Sequence, residues 1–126
     1  MSWETYSMQE PEARSIFQAM MAVAEIDEDT KDLWNEIVEA ASRYSATRLE
    51  WETATFDEKL SMDESRSLQH DVFMIKLNQF ARYAKLNQLD YSWREQLGDP
   101  KRDPENRKRM GDLACWICLF LELKAR

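Results

Sequence analysis

Three groups of residues in this chain have the types and spacing to do chemistry. His70, the only histidine, follows Arg66 by one helical turn and precedes Asp71. Such an imidazole could ligate a metal or take part in catalysis by moving a proton. The plainer expectation is a packed ring hydrogen-bonded to a neighbour, because buried polar groups find partners. Cys115 and Cys118 form a C-x-x-C. A structural zinc needs four ligands, and the chain offers no further cysteine and a single histidine. A redox pair draws its reactivity from a helix start, whereas this one lies inside an apolar run, so two reduced core thiols are expected. Glu36 and Glu39 set two carboxylates on one helical face, the arrangement that holds hard cations. With one histidine, no Ser-His-Asp or Cys-His order is available. No glycine-rich phosphate loop occurs, and no cofactor is implied.

These residues must be positioned by helices. Two Gly and three Pro in 126 residues, with 44% apolar and 33% charged residues, favour long helices and few turns, and no run of alternating β-branched residues suggests a strand. The organising stretch is Ser61 to Leu89. At roughly 100° per residue, Arg66, His70, Phe73, Leu77, Phe80 and Ala84 share one line, while Leu68, Val72, Ile75, Gln79 and Leu86 share the opposite one. Two apolar lines predict a hub helix with neighbours on both sides. Ser61 and Glu64 have capping-box spacing and predict its start. A polar edge of Ser67, Asp71, Asn78, Arg82 and Lys85 runs between the lines, with Asn78 and Arg82 spaced to touch.

Pro11, flanked by Glu10 and Glu12, predicts a first helix to about Ile26. Asp29 or Thr30 can cap a second, in which Leu33, Ile37, Ala40, Tyr44 and Trp51 form one line and which continues to about Ala54. Residues 55–60 are expected to connect it to the hub. A helical turn over Trp93–Leu97 is expected to stop at Gly98. Asp103 as cap with Pro104 behind it starts the last helix, which runs towards Lys124. That helix opens with Arg107, Lys108 and Arg109, cations at the positive end of its dipole. The plainer expectation is a solvated turn; the functional one is a place, with Lys101 and Arg102, for an anion or an acidic partner. From Met110 to Leu123 the helix is apolar on nearly every side, a surface for the core or for a second copy of the chain. The expectation is one all-α domain over 1–126, a bundle of about four main helices with a long central one, with residues 1–10 (Trp3, Tyr6 and Met8 among them) as a loosely packed arm.

The formal charge of −7 is unevenly spread: residues 1–63 hold 15 Asp and Glu against 5 Lys and Arg, and residues 64–126 hold 9 against 12. An acidic chain is a poor general binder of nucleic acid, since phosphate neutralisation dominates such binding. The acidic half instead suits a basic protein partner. Leu113 to Leu121, the longest apolar run, is far short of the roughly 18–20 residues of a membrane span, and no targeting segment is visible, so a cytoplasmic protein is expected.

Glu36-x-x-Glu39 together with Met110-Gly111-Asp112 resembles the all-α nucleotide pyrophosphohydrolases of the MazG type. That resemblance implies magnesium held by an E-x-x-E on one helix and an E-x-x-D on the next; here Arg109 stands where the second glutamate would be. A longer stretch is similar to a small bacterial family classed as a domain of unknown function: Arg66 to Asp71, then Ile75-x-x-Asn78-x-x-Ala81-Arg82, then Arg109 to Ala114, and terminal Arg126, with Asp71 in place of that family's Asn. It implies a small helical protein, supplies no activity, and marks Arg66, His70, Asn78, Arg82 and Asp112 as a shared polar signature, with Arg66 or Arg82 paired to Asp112. The binding residues expected are therefore Arg66, His70, Asp71, Asn78, Arg82 and Asp112, with no catalytic residue and no metal. The function expected is a non-enzymatic protein-interaction module, in its sharper form an acidic inhibitor of a basic nucleic-acid-binding target. A divergent metal-dependent nucleotide pyrophosphohydrolase and a self-associating scaffold are the alternatives.

Overall fold

A computed structural model describes residues 6–125 as an all-α bundle of five helices. Helix α1 spans Glu10–Ala24, and its buried Ala13, Ile16, Phe17, Met20, Val23 and Ala24 keep the 3–4 spacing of one core-facing stripe. Helix α2 spans Glu28–Thr53. Its cap is Asp27 rather than Asp29 or Thr30: the Asp27 carboxylate accepts from Thr30 N at 2.8 Å, and the Thr30 hydroxyl accepts from Asp27 N at 3.0 Å. Helix α3 spans Phe56–Leu86, a rod of about 46 Å. Helix α4 is the short Ser92–Leu97, ended by Gly98 at φ 75°, and α5 spans Pro104–Ala125. Asp103 caps α5 as expected, accepting from Glu105 N at 3.0 Å.

Residues 55–60 are not a connector. Thr55 and Glu58 form the capping box that starts α3, leaving only a sharp corner at Ala54 and Thr55. The Ser61 hydroxyl, expected to cap, instead donates to Glu58 O at 2.9 Å, the back-bond of a serine already inside a helix. At the far end α3 stops at Leu86 rather than Leu89. Gln88 adopts φ 59°, and Leu89 N donates to Ala84 O at 2.8 Å, closing the helix in a Schellman-type turn.

The core is a chain of rings. Tyr6 meets Trp116 at 5.9 Å, Trp116 stacks on Phe120 at 5.6 Å, and Phe120 meets Phe17 at 5.2 Å. Phe17 meets Trp34 at 5.9 Å, Trp34 meets Phe80 at 6.4 Å, and Phe80 meets Trp93 at 5.4 Å. Every helix except α4 contributes to this chain before α4 closes it with Trp93. One expectation fails against it. Tyr6 and Met8 are buried, and Trp116 Nε1 donates to Met8 O at 2.9 Å, so this part of the expected arm is docked on α5; Trp3 lies outside the described residues. The apolar faces of α5 are covered by α1, α2 and residues 6–8, so of the two uses expected for this helix most of its apolar surface serves the core.

The central position also changes hands. Helix α2 makes the broad contacts, with α1, α3 and α5. On α3 the line of His70, Phe73, Leu77, Phe80 and Ala84 is buried as expected, but of the opposite line only Val72 is half-buried against the core. Leu60 is 63% exposed, Leu68 60%, Ile75 52% and Leu86 72%, with Gln79 exposed beside them. The hub helix is partnered on one side only.

Candidate functional site

Where the C-terminal half of α2, the N-terminal half of α3 and the first turns of α5 meet, they leave an open cleft of about 350 Å³ lined by Tyr44, Arg48, Trp51, Glu52, Arg66, His70, Pro104, Arg107 and Lys108. Its floor is the edge-to-face pair of Tyr44 and His70, with ring centroids 5.2 Å apart. Gly111 makes that floor possible: a Cβ there would lie 2.7 Å from Tyr44 Oη and 3.2 Å from His70 Cδ2, so only glycine lets α5 approach both rings.

His70 is 5% exposed, and its Nε2 lies 2.7 Å from Arg107 O. A carbonyl oxygen only accepts, so Nε2 carries the proton and Nδ1 is a bare acceptor. Nδ1 is buried without a partner, and so are Trp51 Nε1 and Arg66 Nε, all on residues that line this cleft. An unsatisfied buried polar atom costs about 1–3 kcal/mol. Burial also holds the His70 pKa below its ordinary value, so the ring is neutral near pH 7.

Arg66 and Arg107 are tethered but stay partly open to solvent, whereas the Arg48 side chain is largely enclosed. Arg66 stacks on the Trp51 ring at 4.5 Å and reaches Asp63 at 3.1 Å; Lys59 sits 4.7 Å from the same ring. Arg107 Nη2 pairs with Asp71 at 2.8 Å. Arg48 lies 2.9 Å from Asp112 Oδ1, an ion pair without hydrogen-bond alignment, and its Nε donates weakly to Glu52 at 3.4 Å. Lys108 is exposed at the rim.

The expected signature is thus split. Arg66 and His70 line the cleft, Asp71 holds Arg107 at its edge, and Asp112 lies beneath it, fully buried. Asp112 pairs with Arg48 rather than Arg66 or Arg82, because α5 packs mainly on α2 and only slightly on α3. Its other oxygen accepts from Ser7 N at 2.7 Å and Met8 N at 3.0 Å. Asn78 accepts from Arg94 Nε at 2.8 Å instead of meeting Arg82, which is exposed. Of the basic residues near the start of α5, Arg107 and Lys108 reach the cleft, while Lys101 and Arg102 stay in the exposed loop and Arg109 pairs with Glu12. Arg48 is a residue of the cleft outside the expected set. It carried a signal: it occupies the place between Tyr44 and Trp51 where the apolar line of α2 needs a member.

The other candidate groups separate. Glu36 is held by Lys76 at 2.8 Å and Glu39 by Arg43 at 2.7 Å, both at the surface, so the E-x-x-E pair offers a hydrolase reading no support. Among the described residues no group of three His, Cys, Asp or Glu is placed to hold a metal ion. Cys115 and Cys118 are free thiols, and burial pushes the Cys118 pKa up, away from thiolate chemistry. No described helix is long and apolar enough to cross a membrane. No family model matches the chain, and no curated protein or solved structure matches it either.

Proposed function

We propose that this chain is a non-enzymatic protein-interaction module that docks a partner along α3. The observation that carries the reading is the uncovered line of Leu68, Ile75 and Leu86, with Leu60 exposed on its flank near the start of the helix. Single exposed apolar residues are ordinary, but an apolar line along one helix is a surface with a use. Asp57, Glu58, Asp63 and Glu64 surround its N-terminal end, all exposed, and favour a partner whose apolar contact is bordered by basic side chains. A nucleic-acid-binding protein, with its cations covered by this end of α3, is the sharper form. The two free cysteines agree with a cytoplasmic setting.

The test compares the wild-type chain with a Leu68→Glu and Ile75→Glu double variant, using tagged protein to capture partners at low and high salt and light scattering across concentration. The reading requires one partner held by the wild type, weakened by salt and lost by the variant with an unchanged melting curve. A concentration-dependent dimer lost in the variant would assign the line to a second copy. Capture indifferent to the two substitutions would reject α3 as the docking surface.

A further inference from the structure

The cleft between α2, α3 and α5 lies on a different surface from the apolar line and asks for a different ligand. We infer that it binds a phosphate group in its singly protonated form, with Trp51 Nε1, Arg66 Nε and Lys108 donating to phosphate oxygens and His70 Nδ1 accepting the phosphate hydroxyl proton.

Three side chains of the cleft leave hydrogen bonds unmade. Trp51 Nε1 and Arg66 Nε are buried donors without partners, and His70 Nδ1 is a buried acceptor without one. The three residues are neighbours: Arg66 lies over the Trp51 ring at 4.5 Å and stands one helical turn from His70. A matching ligand must therefore accept at least twice and donate once. An ionised carboxylate only accepts and leaves His70 Nδ1 bare, and chloride does the same. A hydrogen phosphate has acceptor oxygens and one O–H, and with a second pKa near 6 this form is accessible around neutrality.

Charge supports the same ligand. Arg48, Arg66, Arg107 and Lys108 line the cleft against the single carboxylate of Glu52, which Arg48 Nε reaches at 3.4 Å. Asp63 and Asp71, the partners of Arg66 and Arg107, are 61% and 48% exposed, so water already competes for them and an incoming anion can share their guanidinium groups. Pro104 brings the positive end of α5 to the cleft wall. Cations in the first turns of a helix oppose its dipole, and an anion bound between them relieves that opposition. A cleft of about 350 Å³ sits at the small end of the range for ligand pockets, with room for a phosphate and a short part of its carrier.

The chain has one histidine, so a single ring reports on the site by NMR. The full chain is titrated with inorganic phosphate and with methyl phosphate, and separately with acetate and chloride at matched ionic strength. The expected result is a saturable shift of the His70 ring and of the Trp51 indole N–H with both phosphates, and binding at least tenfold weaker for acetate and chloride. Tighter binding of methyl phosphate assigns the site to a phosphate monoester carried by a larger molecule; equal binding assigns it to free phosphate. Arg66→Gln is expected to weaken binding about tenfold or more, the loss of one charge-assisted hydrogen bond. Lys108→Gln, at an exposed position, serves as the second variant and weakens binding without touching the fold. Shifts that grow without saturation, equal responses to acetate and phosphate, or binding unchanged in both variants would overturn the inference.

Discussion

Arg48 Nη1 stands 2.9 Å from Asp112 Oδ1, and through that contact the end of α2 is tied to α5 and to the chain entering α1. Asp112 is fully buried: one oxygen faces the Arg48 guanidinium as its counter-charge and the other accepts from both Ser7 N and Met8 N. Removing it leaves two backbone donors unsatisfied and takes the buried counter-charge from Arg48. Asp112→Ala is expected to destabilise the fold by about 3–5 kcal/mol, read as a lowered midpoint in chemical denaturation. Arg48→Met combined with Asp112→Leu should cost less than the two single changes added together, because the buried charge left by either alone disappears when both go. Full additivity would show that the pair is not coupled.

His70 gives the fold a pH dependence of known sign. Its folded pKa lies below the ordinary 6.5, through burial first and the positive charges of Arg107 and Arg66 in support, opposed by Asp71 and by the bond to Arg107 O. The unfolded chain therefore takes up the proton more readily than the folded one. This contribution to stability is whole above about pH 6.5 and falls as the pH drops below it, until the folded ring itself protonates. The carboxylates titrate in the same scan, so the measurement is a difference: melting temperatures of wild type and His70→Gln between pH 7.5 and 5. The wild type should lose more on acidification. Parallel curves would mean that the ring is not held neutral by its surroundings.

Gly111 is expected to be intolerant of the smallest substitution. A Cβ there meets the Tyr44 hydroxyl at 2.7 Å, and Tyr44 is pinned against His70. Gly111→Ala should cost about 1–3 kcal/mol through forced repacking, despite the gain in helix propensity that alanine normally brings. The signature is a displaced His70 ring resonance alongside the lowered melting point. A stabilised variant would show that α5 can slide away from the two rings.

Much of this arrangement was legible in the sequence because it rests on local rules. The stripe of α1, the Asp103–Pro104 start of α5 and the stop at Gly98 are each written within a few residues. The start of α3 was misplaced because Thr55–Glu58 and Ser61–Glu64 share one spacing, and helix propagation from the earlier box absorbs the later one. The site was only half legible. Arg66 and His70 sit on one helix, whereas Tyr44, Arg48 and Trp51 join them only through the packing of α2 on α3, and residues 6–8 reach Asp112 across the whole chain. No periodicity encodes which helix lies against which.

The two lines of α3 permit a comparison within one helix. Leu77 is fully buried among the core residues, while Leu68, on the other line, is 60% exposed. Truncating Leu77 to Ala leaves a cavity as well as a lost transfer term, so a cost of about 2–5 kcal/mol is expected. Leu68→Ala removes little that folding hides from water, and its effect should stay within about 0.5 kcal/mol. Stability alone therefore gives no reason for leucine at position 68 or isoleucine at 75. If α3 is a docking surface, the order of effects reverses in a binding assay: Leu68→Ala weakens partner capture while Leu77→Ala, at a temperature where it remains folded, does not. A large stability cost at Leu68 would instead show that the exposed line is covered in the protein as it exists in solution, and denaturation measured across protein concentrations would then tell whether a second copy covers it.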